Sequence, residues 1–327
     1  MRRREFISIL GGTAVWPLMA RAQPSPVRPL VGVLSPVSSA DARPLIGAFR
    51  FALRDLGHVE GRNVTITLRY GEGAPERMGP LAGELVALNP DVLVVGAQPG
   101  ISALLSATRT IPIVALMLQD PVKAGLAQSI ARPGGNITGM WTLGGDALVG
   151  KGLDFLKLAV PHVTRVGALL NPDDPTDVAQ ISQLPAAARA VGVAVELIQV
   201  RDLSNLDTLA EEVTRANVQG LFVGQTPFYL SRRAHIGAMA AHLRLPAVYG
   251  WRQFAEAGGL MSYGPNLPDM YRQLARLVDR VLKGAKPADL SIELPTRFEL
   301  IVNLKAAKAT GLTISDSFVL LADEVIE

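Results

Sequence analysis

The chain has 327 residues, of which 49% are apolar, 19% charged and only 5% aromatic, and it holds no cysteine. That length can build one large core or two domains, and the missing cysteine excludes disulfides, thiolate metal sites, a nucleophilic thiol and a lipid-modified N-terminal cysteine. The formal net charge of +3 is the charge of residues 1–22, which carry four arginines and one glutamate, so the remainder is formally neutral and has no electrostatic footprint for nucleic acid or an anionic membrane.

Arg2-Arg3-Arg4 is followed by an apolar run from Phe6 to Trp16 and then by Ala20-Arg21-Ala22. This basic, apolar and A-x-A order predicts an export signal cleaved near Ala22. The run falls short of the ~20 residues of a membrane span, and Pro17 interrupts it. Arg3-Arg4-Glu5-Phe6-Ile7 is similar to the twin-arginine signal, with Ser8 where lysine is usual, so twin-arginine and general secretion both stay open.

From Leu30 onward, short β-branched runs alternate with longer Ala- and Leu-rich ones, the pattern of an α/β chain with parallel sheets. Val31–Leu34 reads as a strand. A helix over 41–56 follows, with Leu45, Phe49, Ala52, Leu53 and Leu56 on one face and Gly57 at its C-terminal end. Next come a strand over Val64–Leu68, a helix over 75–88, a fully buried strand over Val92–Val95, and a helix opened by Pro99.

The second half repeats this plan. Val31-Gly32-Val33-Leu34-Ser35-Pro36 has a counterpart in Val166 to Pro172, and Val95-Gly96-Ala97-Gln98-Pro99 aligns on Val223-Gly224-Gln225-Thr226-Pro227. Thr110 to Val114 answers Arg244 to Val248. The repeat predicts two Rossmann-like lobes, each with a central parallel sheet. Ligands of such sheets bind beyond the carboxyl ends of the strands, where helix N-termini offer free N–H groups. The matched loops fall at those ends and, facing one another, make a cleft.

Several longer runs are similar to those of the bacterial ABC transporter substrate-binding protein family: Asp120-Pro121-Val122, Ala131 to Gly139, Phe254 to Asn266, Leu282 to Leu290 and Phe298 to Lys305. The resemblance spans residues 28 to 327. It implies a type I periplasmic binding fold, a small-molecule solute held between two lobes, and delivery to an inner-membrane ABC permease and its ATPase. Some similar members are associated with aromatic amino acids. The same resemblance implies a multi-segment hinge, placed near Met140–Gly145, Ser262–Pro265 and Pro287–Pro295. On that basis residues 28–142 and 264–290 form the first lobe, residues 143–263 the second, and residues 291–327 are left without a lobe.

Within the cleft, Gln98 and Pro99 lie at a helix start whose N–H groups can hold a carboxylate, and Thr226 occupies the matched place in the second lobe. Ser35, Gln119, Asn171 and Gln225 belong to the same strand-end loops. Asp120 reads as the counter-ion for an ammonium group. Asp173-Asp174 reads either as a pair of solvated acids or as a charge opposite a ligand amine. Tyr249 and Trp251 can stack on a planar solute or pack in the core; Tyr263, beside the second crossing, can serve hinge or cleft.

An enzyme would need a nucleophile, an acid/base pair, a metal cluster or a cofactor loop. Gly145 to Lys151 matches most of a phosphate loop, but Gly152 stands where Ser or Thr would meet magnesium, and it reads better as a helix start. The histidines at 58, 162, 235 and 242 are scattered, and no G-x-S-x-G elbow is present. The expectation is therefore a periplasmic, monomeric solute receptor with no cofactor, no metal and no catalytic residue. A stand-alone extracytoplasmic sensor, and more remotely an exported α/β hydrolase, are the alternatives.

Overall fold

In chain order the elements are β1 (Leu30–Ser35), α1 (Ser39–Asp55), β2 (Thr65–Tyr70), α2 (Met78–Ala87), β3 (Val92–Gly96), α3 (Gln98–Ala107), β4 (Ile113–Met117), β5 (Ile137–Trp141), α4 (Asp146–Ala159), β6 (Arg165–Leu170), α5 (Pro175–Val191), β7 (Ala194–Gln199), α6 (Leu206–Arg215), β8 (Gly220–Val223), α7 (Pro227–Leu230), α8 (Arg233–His242), β9 (Ala247–Tyr249), α9 (Arg252–Glu256), β10 (Met261–Pro265), α10 (Leu267–Leu282), β11 (Phe298–Asn303), α11 (Leu304–Thr310), α12 (Asp316–Val319) and β12 (Glu324–Ile326). The computed structural model describes residues 28–142, 146–203 and 205–327. The expected export signal, its expected cleavage site and Gly145 lie outside the described residues.

Local chemistry sets the element ends. The helix expected from residue 41 begins at Ser39 because the Ser38 hydroxyl accepts from the Asp41 N–H and caps it. The helix expected over 75–88 is a 3-10 turn, Pro75–Arg77, followed by α2, with Pro75 at the position where its missing N–H is harmless. Central strands β3 and β4 are buried at every residue, as strands covered on both faces must be.

The first sheet has five strands in the order β2-β1-β3-β4-β5, all parallel. The second has seven, and read from its far edge it begins β7-β6-β8-β9-β10. Its first five strands thus repeat the order of the first sheet, and the sequence matches fall on equivalent strands: β1 with β6, the ends of β3 and β8, and β4 with β9. β11 pairs antiparallel with β10, and β12 follows on the outer edge of β11. The segment after residue 291, unassigned from sequence, therefore contributes two strands to the larger sheet. Residues 264 and 265, expected in the first lobe, are the end of β10.

After β10 the chain passes through Asn266 into α10, whose buried face includes Leu274, Leu277 and Val278. Burying each such side chain contributes roughly 1.5–3 kcal/mol. α10 lies against α1 and the first sheet. Backbone hydrogen bonds join the end of the first sheet to the returning segment: Trp141 N–H donates to the Glu293 carbonyl at 2.9 Å, and Glu293 N–H to the Gly139 carbonyl at 2.9 Å. Asn266 Nδ2 donates to the Glu299 carboxylate at 3.1 Å, which also receives Arg252 Nη1 at 3.3 Å. One cluster of buried apolar side chains runs through both lobes, from Phe49 and Leu116 to Tyr229 and Trp251.

Candidate ligand-binding cleft between the lobes

The direction of winding reverses between β1 and β3 in the first sheet and between β6 and β8 in the second. Such a switch point opens a crevice beyond the strand ends. Here the two crevices meet. One cavity, about 40 Å³, is bounded by Pro36, Gly73 and Pro99 from the first lobe and by Asp174, Thr226 and Phe228 from the second. A neighbouring one of about 30 Å³ lies among Val37, Leu45, Leu118, Leu230, Trp251 and Tyr271. Spaces of this size hold a water or two, far below the ~300–1,000 Å³ of a small-molecule site. A third space between the lobes, about 330 Å³, lies at their rim among Asp41, Pro44, Leu45, Leu230, Arg233 and Gln253, so the inner walls are shut while the rim stays open.

The lobes meet at this rim in two places. Arg233 Nη2 of α8 meets the Asp41 carboxylate of α1 at 2.7 Å, both side chains being partly buried. Asp41 also accepts from the Ser38 hydroxyl at 2.7 Å, and Arg233 Nη1 donates to the Leu230 carbonyl at 3.0 Å. Nearby, Gly73 has φ +78°, and a Cβ there would lie 3.1 Å from Ser231 Oγ across the interface. Glycine permits both that backbone and that approach.

The structure gathers some of the residues singled out from sequence and disperses others. Pro99 and Thr226 border the first cavity and Trp251 the second. Ser35 is buried at the end of β1, and Gln98 is the first residue of α3. Gln119 is partly buried in the loop after β4. Asp120 caps its own turn, accepting from the N–H groups of Val122 and Lys123 at 2.9 and 3.1 Å. Asn171 likewise accepts from Asp173 N–H at 2.9 Å. Buried Gln225 donates to the Gly250 carbonyl at 3.1 Å and so ties two strand-end loops together. The Tyr249 ring is stacked on Phe254 at 4.5 Å inside the second lobe, and Tyr263 packs on Phe155 at 4.9 Å. Neither borders these two cavities.

Two polar atoms at the cleft are buried without a hydrogen-bond partner: Thr226 Oγ1 and Trp251 Nε1, on residues only 2% and 3% exposed. Buried polar groups are almost always paired. Both residues stand in the walls of these cavities.

Asp177 was not singled out by sequence. It lies wholly buried in the first turn of α5, accepting from Asn171 N–H at 2.7 Å and Gln180 Nε2 at 2.9 Å. Burial pushes its carboxyl up to about 7; the Asn171 hydrogen bond opposes that rise and the Asp174 charge adds to it. The Tyr229 hydroxyl faces the same carboxyl, outside good hydrogen-bonding geometry. Tyr271, contributed by α10, was not singled out by sequence either. It reaches the cleft because Gly96 leaves room for its hydroxyl, which a Cβ would meet at 2.9 Å. Burial holds that hydroxyl up at about 12, so it is neutral.

Among the described residues there is no group of three or more His, Cys, Asp or Glu side chains placed to hold a metal ion. No described helix is long and apolar enough to cross a membrane.

The model of the family described as ABC transporter substrate binding protein matches residues 30–326. A tyrosine-binding protein of Clostridioides difficile is 23% identical over 259 residues, 79% of this chain and 74% of that protein. The structure of an ABC domain from Streptococcus pneumonia in complex with L-Trp superposes with a TM-score of 0.82 at 26% identity, over 91% of this chain and 100% of that one. A conserved domain protein from Vibrio cholerae O1 gives a TM-score of 0.84 at 25% identity, over 91% and 99%. Family proteins of this kind bind solutes and are not enzymes, and a match over nearly every described residue, on a fold of two facing wound sheets, shows that this chain belongs to the ABC transporter substrate binding protein family.

Proposed function

We propose that this chain is exported to the periplasm, takes an aromatic amino acid or a close relative between its lobes, and hands it to an inner-membrane permease and ATPase. The observation that carries the reading is the pair of buried, unpartnered polar groups at the inner cavities, Thr226 Oγ1 on the one lined by Pro36 and Pro99 and Trp251 Nε1 on the one lined by Val37, Leu45 and Leu118. An apolar pocket with a few polar anchors suits a solute with a flat hydrophobic body and a polar head. The tyrosine-binding relative and the L-Trp complex support that class.

Capture needs no covalent step. A solute that touches both walls binds the closed form better than the open one and shifts the population toward it. Because the closed cavities are small, the guest holds the lobes slightly further apart than they stand here while filling the space between them. The protein works as a monomer, and the closed pair of lobes is what the permease reads.

Titration calorimetry and solution scattering with L-tyrosine, L-tryptophan, L-phenylalanine and L-leucine test this. Saturable binding of the aromatic members, with a smaller radius of gyration in the bound state, is the expected result. Equal indifference to the whole set defeats the reading.

A further inference from the structure

Of the acidic side chains near the strand ends, four are engaged elsewhere: Asp41, Asp120, Asp173 and Asp177. Asp41 is paired with Arg233 at 2.7 Å, and Asp173 with Arg201 at 2.9 Å. Asp120 accepts two N–H groups of its own turn, and Asp177 is buried behind the wall, accepting from Asn171 and Gln180. Asp174 differs. Like Asp120 it caps its own turn through Oδ1, which accepts from Thr176 N–H at 2.8 Å and Asp177 N–H at 3.2 Å, but no cation among the described residues stands at its Oδ2, whereas Lys123 Nζ lies 3.9 Å from that of Asp120. Its residue also bounds the cavity that holds the unpartnered Thr226 hydroxyl.

We infer that Asp174 selects for a cationic amine on the solute: its second carboxylate oxygen receives the α-ammonium group beside Thr226, so the cleft prefers amino acids to the corresponding acids that lack nitrogen. The inference rests on the proposed amino-acid reading and adds the residue that decides it. A carboxylate in a site closed to water attracts an ammonium far more than at the surface. An acid without the amine brings no counter-charge and leaves Asp174 desolvated and unpaired, which is the stronger source of discrimination. The sequence offered Asp120 and the Asp173-Asp174 pair for this task; Asp120 borders neither of these cavities, and Lys123 Nζ stands 3.9 Å from its Oδ2.

Asp174→Asn separates selection from folding, because asparagine caps helices as well as aspartate. The full mature chain is titrated with L-tyrosine and L-tryptophan and with 3-(4-hydroxyphenyl)propionate and indole-3-propionate. In the wild type the amino acids bind more tightly than the propionates. Asp174→Asn should weaken the amino acids by roughly 30-fold or more, leave the propionates unchanged or improved, and keep the same melting temperature. Asp174→Ser, a second capping residue, should behave alike, and Asp120→Asn should leave all four affinities as they were. Retained amino-acid affinity in both Asp174 variants, or equal loss for both solute classes, overturns the assignment. A wild type that binds the propionates as well as the amino acids overturns it too, while leaving the aromatic pocket intact. A wild type that binds none of the four removes the amino-acid reading itself and this assignment with it.

Discussion

Pro36 and Pro99 of the first lobe face Asp174 and Thr226 of the second across one cavity, and Val37, Leu45 and Leu118 face Trp251 across the other, although the two lobes repeat one β-α plan. The first wall offers shape and the second offers partners. A duplicated scaffold can hold its geometry while its two copies diverge in chemistry, because residues beyond the strands vary more freely than the strands that carry the sheet. Selection among solutes is thereby separated from the fit that any flat apolar body would enjoy.

The largest expected effect lies beneath the polar wall. Asp177 has its carboxyl raised from 3.8 to about 7 by burial. Between those values the folded chain keeps a proton that the unfolded chain has released. Stability therefore falls as pH rises across that window, by up to roughly 4 kcal/mol, and is flat above it. Urea unfolding at pH 5 and pH 8 should show the decline, and Asp177→Asn should flatten it. A variant that keeps the full decline assigns the effect to another group.

On the apolar wall, Leu118→Ala should cost about 3 kcal/mol of stability and weaken every aromatic solute by a similar factor. A loss confined to amino acids would place polar selection on the first lobe and break the contrast. Thr226→Val should stabilise the empty protein by about 1 kcal/mol, since it deletes an unsatisfied hydroxyl, while weakening capture about tenfold. Should melting and affinity move in the same direction, the hydroxyl is not held ready for a guest. Smallest is Arg233→Gln, which removes the ion pair to Asp41. A shift of about 0.5 kcal/mol in affinity, fading at high salt, is the expected size for a partly exposed pair. Salt titration of wild type and variant reads it directly.

Much of the fold was legible because periodicity and turn residues act locally. The doubled β-α pattern and the strand-end positions of Pro99 and Thr226 follow from runs such as Val92 to Val95 and from the prolines after them. The orientation of side chains was not. Tyr249, the last residue of β9, and Trp251, which precedes α9, are two residues apart, yet one ring stacks on Phe254 and the other borders the cavity. Tyr271 and Asp177 read as ordinary helix residues, since what makes them notable is a neighbour from another lobe segment or from another strand end. The same holds for Asp41 and Arg233, separated by most of the chain and joined only when the lobes shut.

The lacing of Gly139 and Trp141 to Glu293 bears on how the lobes move. Two connectors bound side by side bend as one ribbon, and Asn266 is moored through Glu299 to the strand where the second of them ends. Joined connectors resist twisting far more than bending, so opening follows a single swing instead of a wandering separation. A receptor with one degree of freedom gives up little entropy each time it closes on a visitor.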